Sequence, residues 1–150
     1  MRDNDNNQLR LSEHFTLGEM TRSATALDRG IKNVPSPTQV ENLRELCLNV
    51  LEPLRKRFGV IRVTSGFRCA ELNRAVGGAR NSQHTQGEAA DIHVTGREMA
   101  GKMALYLRMA VDFDQCIIEP RGTMEGKGPQ PRWLHLSYRK DGRNRREVMR

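Results

Sequence analysis

Apolar positions along this chain fall into two periods, and each predicts a different element. From Val40 to Phe58 they recur three and four apart (Val40, Leu43, Cys47, Val50, Leu51, Leu54, Phe58), which is one stripe of a helix. Ser36 is placed to cap that helix, Pro37 suits its first position and Gln39 completes a capping box. Pro53 lacks an N–H and predicts a kink near Asn49, and Gly59 closes the helix. A second stripe, Met99, Met103, Tyr106, Leu107 and Ala110, follows a third capping box, expected from Thr95 and Glu98. Shorter helices are expected from Leu17, behind the T-x-x-E of Thr16 and Glu19, and over CAELNRAV (69–76), which Gly77 and Gly78 stop.

Between these lie short β-branched or alternating runs: VIRVTS (60–65), AADIHV (89–94), DQCIIE (114–119) and WLHLSY (133–138). Alternation puts Asp91 and His93 on one face, with Ala90, Ile92 and Val94 on the other. Trp133, His135 and Ser137 likewise share a face, and Asp141-Gly142 suggests a hairpin turn. Residues 120–132 hold three glycines and two internal prolines, and predict a flexible loop of the kind that serves as a lid. Helices and strands mix without βαβ alternation. The expected fold is α+β, a small mainly antiparallel sheet with helices packed on it.

The chain is 150 residues long, enough for one domain with a real core, here 1–150 with residues 1–10 as a loose polar arm. At 37% hydrophobic and 29% charged residues, disorder is not expected, and no apolar run approaches the ~20 residues of a membrane span. MRDNDNNQLR has no apolar signal-peptide core, so cytoplasmic synthesis is expected, and something else must release the protein if it acts outside. Three cysteines, Cys47, Cys69 and Cys116, are odd in number and widely spaced, and read as small hydrophobes rather than disulfide or metal partners. The net charge of +7, concentrated after Tyr138, calls for an anionic partner. A cell-wall polymer is one and nucleic acid another. The second ranks last, since no nucleic-acid motif is present.

Candidate chemistry sits between Ser65 and Asp91. There Ser82, His84, Gly87, Ala89 and Asp91 spell S-x-H-x-x-G-x-A-x-D. A glycine turn can bring His84 back to a strand on which Asp91 points inward. Imidazole and carboxylate are both ligands for a catalytic divalent ion, zinc above all. With His135 as a third, the set leaves one tetrahedral position open, the pattern of zinc hydrolases of amides or esters. His14 is a further candidate ligand, though a histidine beside a helix start more often serves structure. His93 either supports a ligand from behind or lies exposed.

The residues Ser65-Gly66-Phe67-Arg68, the S-x-H-x-x-G-x-A-x-D string and Trp133-Leu134-His135 together resemble the zinc D-alanyl-D-alanine carboxypeptidase family. Its relatives include vancomycin-resistance D,D-dipeptidases and phage endolysin peptidases, and hedgehog-type signalling domains share its metal fold. LSEHFTLGEMTRSATALDRGI and NVPSPTQVENLRELCLNVLEPLR resemble its single-domain phage and bacterial branch. The resemblance implies a hedgehog/D,D-peptidase-like fold, one zinc ion on His84, Asp91 and His135, and a peptidoglycan peptide as substrate. It implies that Arg68 sits near the scissile carbonyl or substrate carboxylate. Ser82 either bonds substrate or caps its turn, and Gln83 is a further substrate contact. A monomer is expected.

One position departs from the family pattern. An aspartate or glutamate commonly stands three residues before the last histidine as general base, and here that residue is Arg132. A cation cannot take a proton. Glu119, ending DQCIIE, is the replacement candidate, either as the catalytic base or as a structural carboxylate bonded to a ligand histidine. Arg132 also keeps open a non-catalytic, zinc-stabilised binding domain. A third reading, nucleic-acid binding through the arginine-rich tail, predicts salt-sensitive affinity.

Overall fold

A computed structural model describes residues 8–150. Of the arm expected over 1–10, residues 1–7 lie outside this range. Leu9 and Arg10 are not loose, since Leu9 O accepts from Leu17 N at 2.8 Å and Arg10 bridges Thr16.

Helix α1 (Leu17–Thr21) starts at the expected capping box, with Thr16 Oγ1 accepting from Glu19 N and Glu19 Oε1 from Thr16 N. Helix α2 (Ala24–Arg29) follows behind Ser23, and it is a short element that the apolar spacing does not announce. Helix α3 (Pro37–Leu46) has the Ser36–Gln39 box, and each such cap contributes about 1 kcal/mol. The helix then passes through a π-helical turn, Cys47–Leu51, into α4 (Glu52–Phe58), which Gly59 ends at φ 89°. The disturbance falls where Pro53 cannot donate to Asn49. Asn49 Nδ2 also turns back to Glu45 O at 2.8 Å, so a side chain takes over a backbone bond.

The sheet runs β1 (Val63–Ser65), β2 (Ala89–His93), β3 (Gln115–Glu119), β4 (Trp133–Ser137) and β5 (Glu147–Met149), in the order β1-β2-β4-β3-β5. All pairs but one are antiparallel, so the α+β expectation holds. Helix α5 (Ala70–Ala75) follows β1, and α6 (Gly96–Ala110) joins β2 to β3. One sheet face, Ala90, Ile92, Leu134, Leu136, Cys116 and Ile118, is fully buried. It forms a single core with Leu43, Leu46, Val50, Leu51 and Leu54 of the long helix and Met103, Ala104 and Leu107 of α6. Ala110 lies outside it, exposed at the end of α6, while Ala100 and Ala104 fill the inner face. Burial pushes the Cys116 thiol up to about 12, and Cys47 is raised further, so both behave as hydrophobes.

Four local expectations change. VIRVTS pairs as a strand only over its last three residues. Thr95 makes no cap to α6. Instead Gln130 Oε1, from the long loop, accepts from Arg97 N at 3.0 Å. That loop is fastened rather than free, because the Arg97 fork donates to the carbonyls of Thr123, Gly128 and Pro129. Asp141-Gly142 makes a turn but no hairpin, since the chain crosses over and β5 pairs parallel with β3. The crossover has its own anchors. Arg146 donates to the carbonyls of Arg108 and Val111 at the end of α6, and its guanidinium lies over the Phe113 ring.

Near the N-terminus, Glu52 accepts from Ser12 Oγ (2.6 Å), His14 N (2.7 Å) and His14 Nδ1 (2.6 Å). Burial opposes its charge, yet these bonds hold the Glu52 carboxyl below its ordinary value. His14 is therefore a tie between the N-terminal segment and α4, on the structural side of its two readings.

Candidate metal centre

His84 is delivered by a 3₁₀ turn, Gln83–Gln86, that side chains hold in shape. Ser82 Oγ accepts from His84 N at 3.2 Å, and Thr85 Oγ1 donates to Ser82 O at 2.6 Å. Gly87 ends the turn at φ 75°, where a Cβ would also stand 2.5 Å from Gln39 O. Only glycine meets both demands. The start of α3 grips the same turn, with Gln39 Nε2 and Asn42 Nδ2 donating to the carbonyls of Thr85 and Gln86. The long helix thus positions the site as well as building the core.

His84 is buried, and its Nδ1 donates to Gly66 O at 2.7 Å. A carbonyl only accepts, so that bond puts the proton on Nδ1 and leaves the Nε2 lone pair facing the sheet. Nε2 stands 3.3 Å from Asp91 Oδ1.

Strand register supplies the rest. Asp91 and His135 are direct cross-strand partners of β2 and β4, and His135 Nδ1 is 3.1 Å from the same Asp91 oxygen. The His84 and His135 rings meet edge to face with centroids 5.0 Å apart. One ligand atom from each residue lies within 4.8 Å of the others, so the three could hold a metal ion. Burial works against the Asp91 charge, but the close approach of His135 and His84 prevails and holds its carboxyl well below the usual carboxylate range. A half-buried carboxylate beside two imidazoles is the donor set that suits zinc.

Arg68 completes the cluster. Its Nη2 is 3.6 Å from Asp91 Oδ2 and its Nε donates to Ser65 Oγ at 3.2 Å. Burial pulls this guanidinium below its ordinary value, partly offset by the Asp91 charge.

Other candidates lie at graded distances. Ser82 is engaged in capping, and the Gln83 amide donates to Asp114 Oδ2 at 2.9 Å. Glu119 pairs with Trp133, so it shares the sheet face of Asp91 and His135 but sits one pleat further along, outside the three-residue cluster. Its carboxylate has no ion-pair partner among the described residues. Arg132 is exposed and stacks over the Trp133 ring at 5.6 Å. His93 is exposed at the end of β2.

Apolar and motif patterns miss one polar group beside the site. Asp114, its side chain fully buried, accepts from Arg145 N, Nε and Nη2 and from Gln83, the neighbour of His84. Nothing local in the sequence pairs residues 83, 114 and 145. Burial opposes the Asp114 charge, but the Arg145 bonds win and bring the carboxyl down to about 2 from 3.8. A depressed folded value means that the native state is favoured above the unfolded value, and that this contribution fades as pH falls from about 4 through about 2. Thermal melts of wild type and Asp114→Asn across pH should show the variant less stable at neutral pH, with the gap closing below pH about 2. A gap that stays constant with pH would remove the ion pair as the cause.

Against known families, a model described as Peptidase M15 matches residues 13–125. The chain belongs to this family, the zinc D-Ala-D-Ala carboxypeptidase-like peptidases. No curated protein matches it. The family match contains His84 and Asp91 but ends before β4, so His135 joins them through sheet register.

Proposed function

We propose that this chain is a zinc-dependent metallopeptidase that hydrolyses a peptide bond in bacterial peptidoglycan peptides, of the D-Ala-D-Ala carboxypeptidase or endopeptidase type. The convergence of His84 Nε2 and His135 Nδ1 on one oxygen of Asp91 carries this reading, together with M15 membership. These three residues would hold one zinc ion, which supplies an activated water and polarises the substrate carbonyl. The tautomer enforced by Gly66 O keeps His84 aimed at the ion. Arg68 holds the substrate carboxylate or the developing oxyanion through charge-assisted hydrogen bonds. Glu119 takes the proton and returns it to the leaving amine. Ser82 and Gln83 act chiefly by shaping the His84 turn, because Ser82 Oγ accepts from His84 N and the Gln83 amide donates to Asp114.

The net charge of +7 would draw the enzyme to an anionic wall polymer, and a single domain acting as a monomer is sufficient for such a site. No described helix is long and apolar enough to cross a membrane. The tail arginines support nucleic-acid binding less well, since Arg145 and Arg146 are engaged with Asp114 and the end of α6.

The test is product release from purified wall peptides by zinc-loaded protein, with and without chelator. D-alanine or a cleaved cross-link, lost on chelation, is expected. Stoichiometric zinc without product from any peptidoglycan type would leave the second reading, a zinc-stabilised binding domain. The exposed Arg132, where the family commonly has an acid, is the observation that favours it.

A further inference from the structure

Arg68 emerges from the segment between β1 and α5, and its backbone N donates to His84 O at 3.1 Å, so its start is tied to the metal-site turn. A long side chain still has several torsions with which to leave the site. What fixes its far end is Asn73, a buried polar residue on α5. Asn73 Oδ1 accepts from Arg68 Nη1 at 3.2 Å, and Asn73 Nδ2 donates to Ala79 O at 2.8 Å. Guanidinium is only a donor and a carbonyl only an acceptor, so the amide between them can face one way. The chain around it is closed by Gly78 N donating to Asn73 O at 2.8 Å. Gly78 also leaves the needed space. A Cβ there would stand 2.0 Å from Asn73 Oδ1 and 2.9 Å from Arg68 Nη1, displacing both.

With Nε on Ser65, Nη1 on Asn73 and Nη2 beside Asp91, the flat fork is fixed on three sides. A guanidinium carries five N–H groups, so each Nη keeps at least one directed away from these partners. These two donors, next to the His84–Asp91–His135 cluster, are left for a carboxylate or oxyanion, which a guanidinium can hold by paired hydrogen bonds.

We infer that Asn73, with Gly78 behind it, is the positioning residue that aims the Arg68 guanidinium at the substrate oxygen. This rests on the substrate role proposed for Arg68. Asn73 touches no substrate and acts through Arg68 alone. A residue that merely staples α5 to the following turn would have the same bond to Ala79 O, so the test must separate the two.

The experiment is a double-mutant cycle on zinc-loaded enzyme of verified metal content, using Asn73→Ala, Arg68→Ala and both together, read as kcat/KM on a wall peptide. Asn73→Ala is expected to lower kcat/KM by about tenfold or more, as loss of an outer positioning partner does, with zinc content unchanged. In the Arg68→Ala background the same change should cost less than about twofold, since the residue it serves is gone. Equal costs in both backgrounds, or no cost in the first, overturn the inference. A second readout needs no activity: the Arg68 side-chain N–H signal in a ¹H–¹⁵N spectrum. Asn73→Ala should broaden or shift it, Gly78→Ala should do the same, and Asn73→Asp, which keeps an oxygen facing Nη1, should retain an ordered signal. An unchanged Arg68 signal in both Asn73→Ala and Gly78→Ala overturns the proposal. Wild-type activity in Arg68→Ala alone sinks instead the role proposed for Arg68, and the spectra still decide what orients it.

Discussion

His84→Ala should fold and yet be purified with little or no zinc, and its peptide hydrolysis should fall by more than about a hundredfold. That is beyond the 10–100-fold that loss of a residue behind a ligand costs. The variant keeps Asp91 and His135 in register on β2 and β4 but removes the one nitrogen delivered from outside the sheet. Two ligands do not make a site of useful affinity. Stability should also drop, by about 1–3 kcal/mol, because the buried Gly66 O loses the His84 ring as a donor. His93→Ala is the control: that ring is exposed, on the same strand and face, and the variant should keep full zinc. Metal analysis of both proteins decides the matter. Full occupancy in His84→Ala would take the cluster out of the account.

Glu119→Gln should retain zinc and fold but lose about 10²–10⁴ in kcat, the usual range for a general acid–base residue. Glutamine preserves size and the pairing of β3 with Trp133 while removing the ability to take a proton. The position is suitable without being close. Glu119 stands on the face of Asp91 and His135, its carboxylate unpaired among the described residues, one pleat along from the cluster. A bound substrate would lie between them. Arg132 offers no alternative, being a cation stacked on Trp133. If Glu119→Gln turns over at the wild-type rate, the proton acceptor is elsewhere and the residue is a strand-end carboxylate. Zinc retained with no activity in wild type or variant would again favour the binding-domain reading.

Much of this site was legible from local pattern. The Ser36–Gln39 and Thr16–Glu19 boxes, the Gly59 and Gly77 stops and the alternation of AADIHV and WLHLSY involve partners within four residues, and all form. The pleat alone put Asp91 and His135 on polar faces of their strands, and the S-x-H-x-x-G spacing alone required a turn at Gly87. The Thr95–Glu98 box shows where such reading stops. The motif was present, but a side chain thirty-three residues away, Gln130, bonds the helix start instead. Asp141-Gly142 is similar. The turn forms, yet the Arg146 bonds to the end of α6 and the Asp114–Arg145 pair carry the chain across to β3, so β5 runs parallel.

By itself, the order of residues determined every helix but the short α2, the strand faces, and the identity of two metal-ligand candidates within one turn-and-strand unit. Those depend on backbone torsion, side-chain period and contacts a few residues long. Only the tertiary structure decided that Asp91 lies opposite His135, that Gly66 O sets the His84 tautomer, and that Asn73 and Gly78 frame Arg68. Each of these depends on a distance between segments that are far apart in sequence or on the space left by a missing side chain. Such distances follow from how the long helix and the sheet close on their shared core, and no local pattern encodes them.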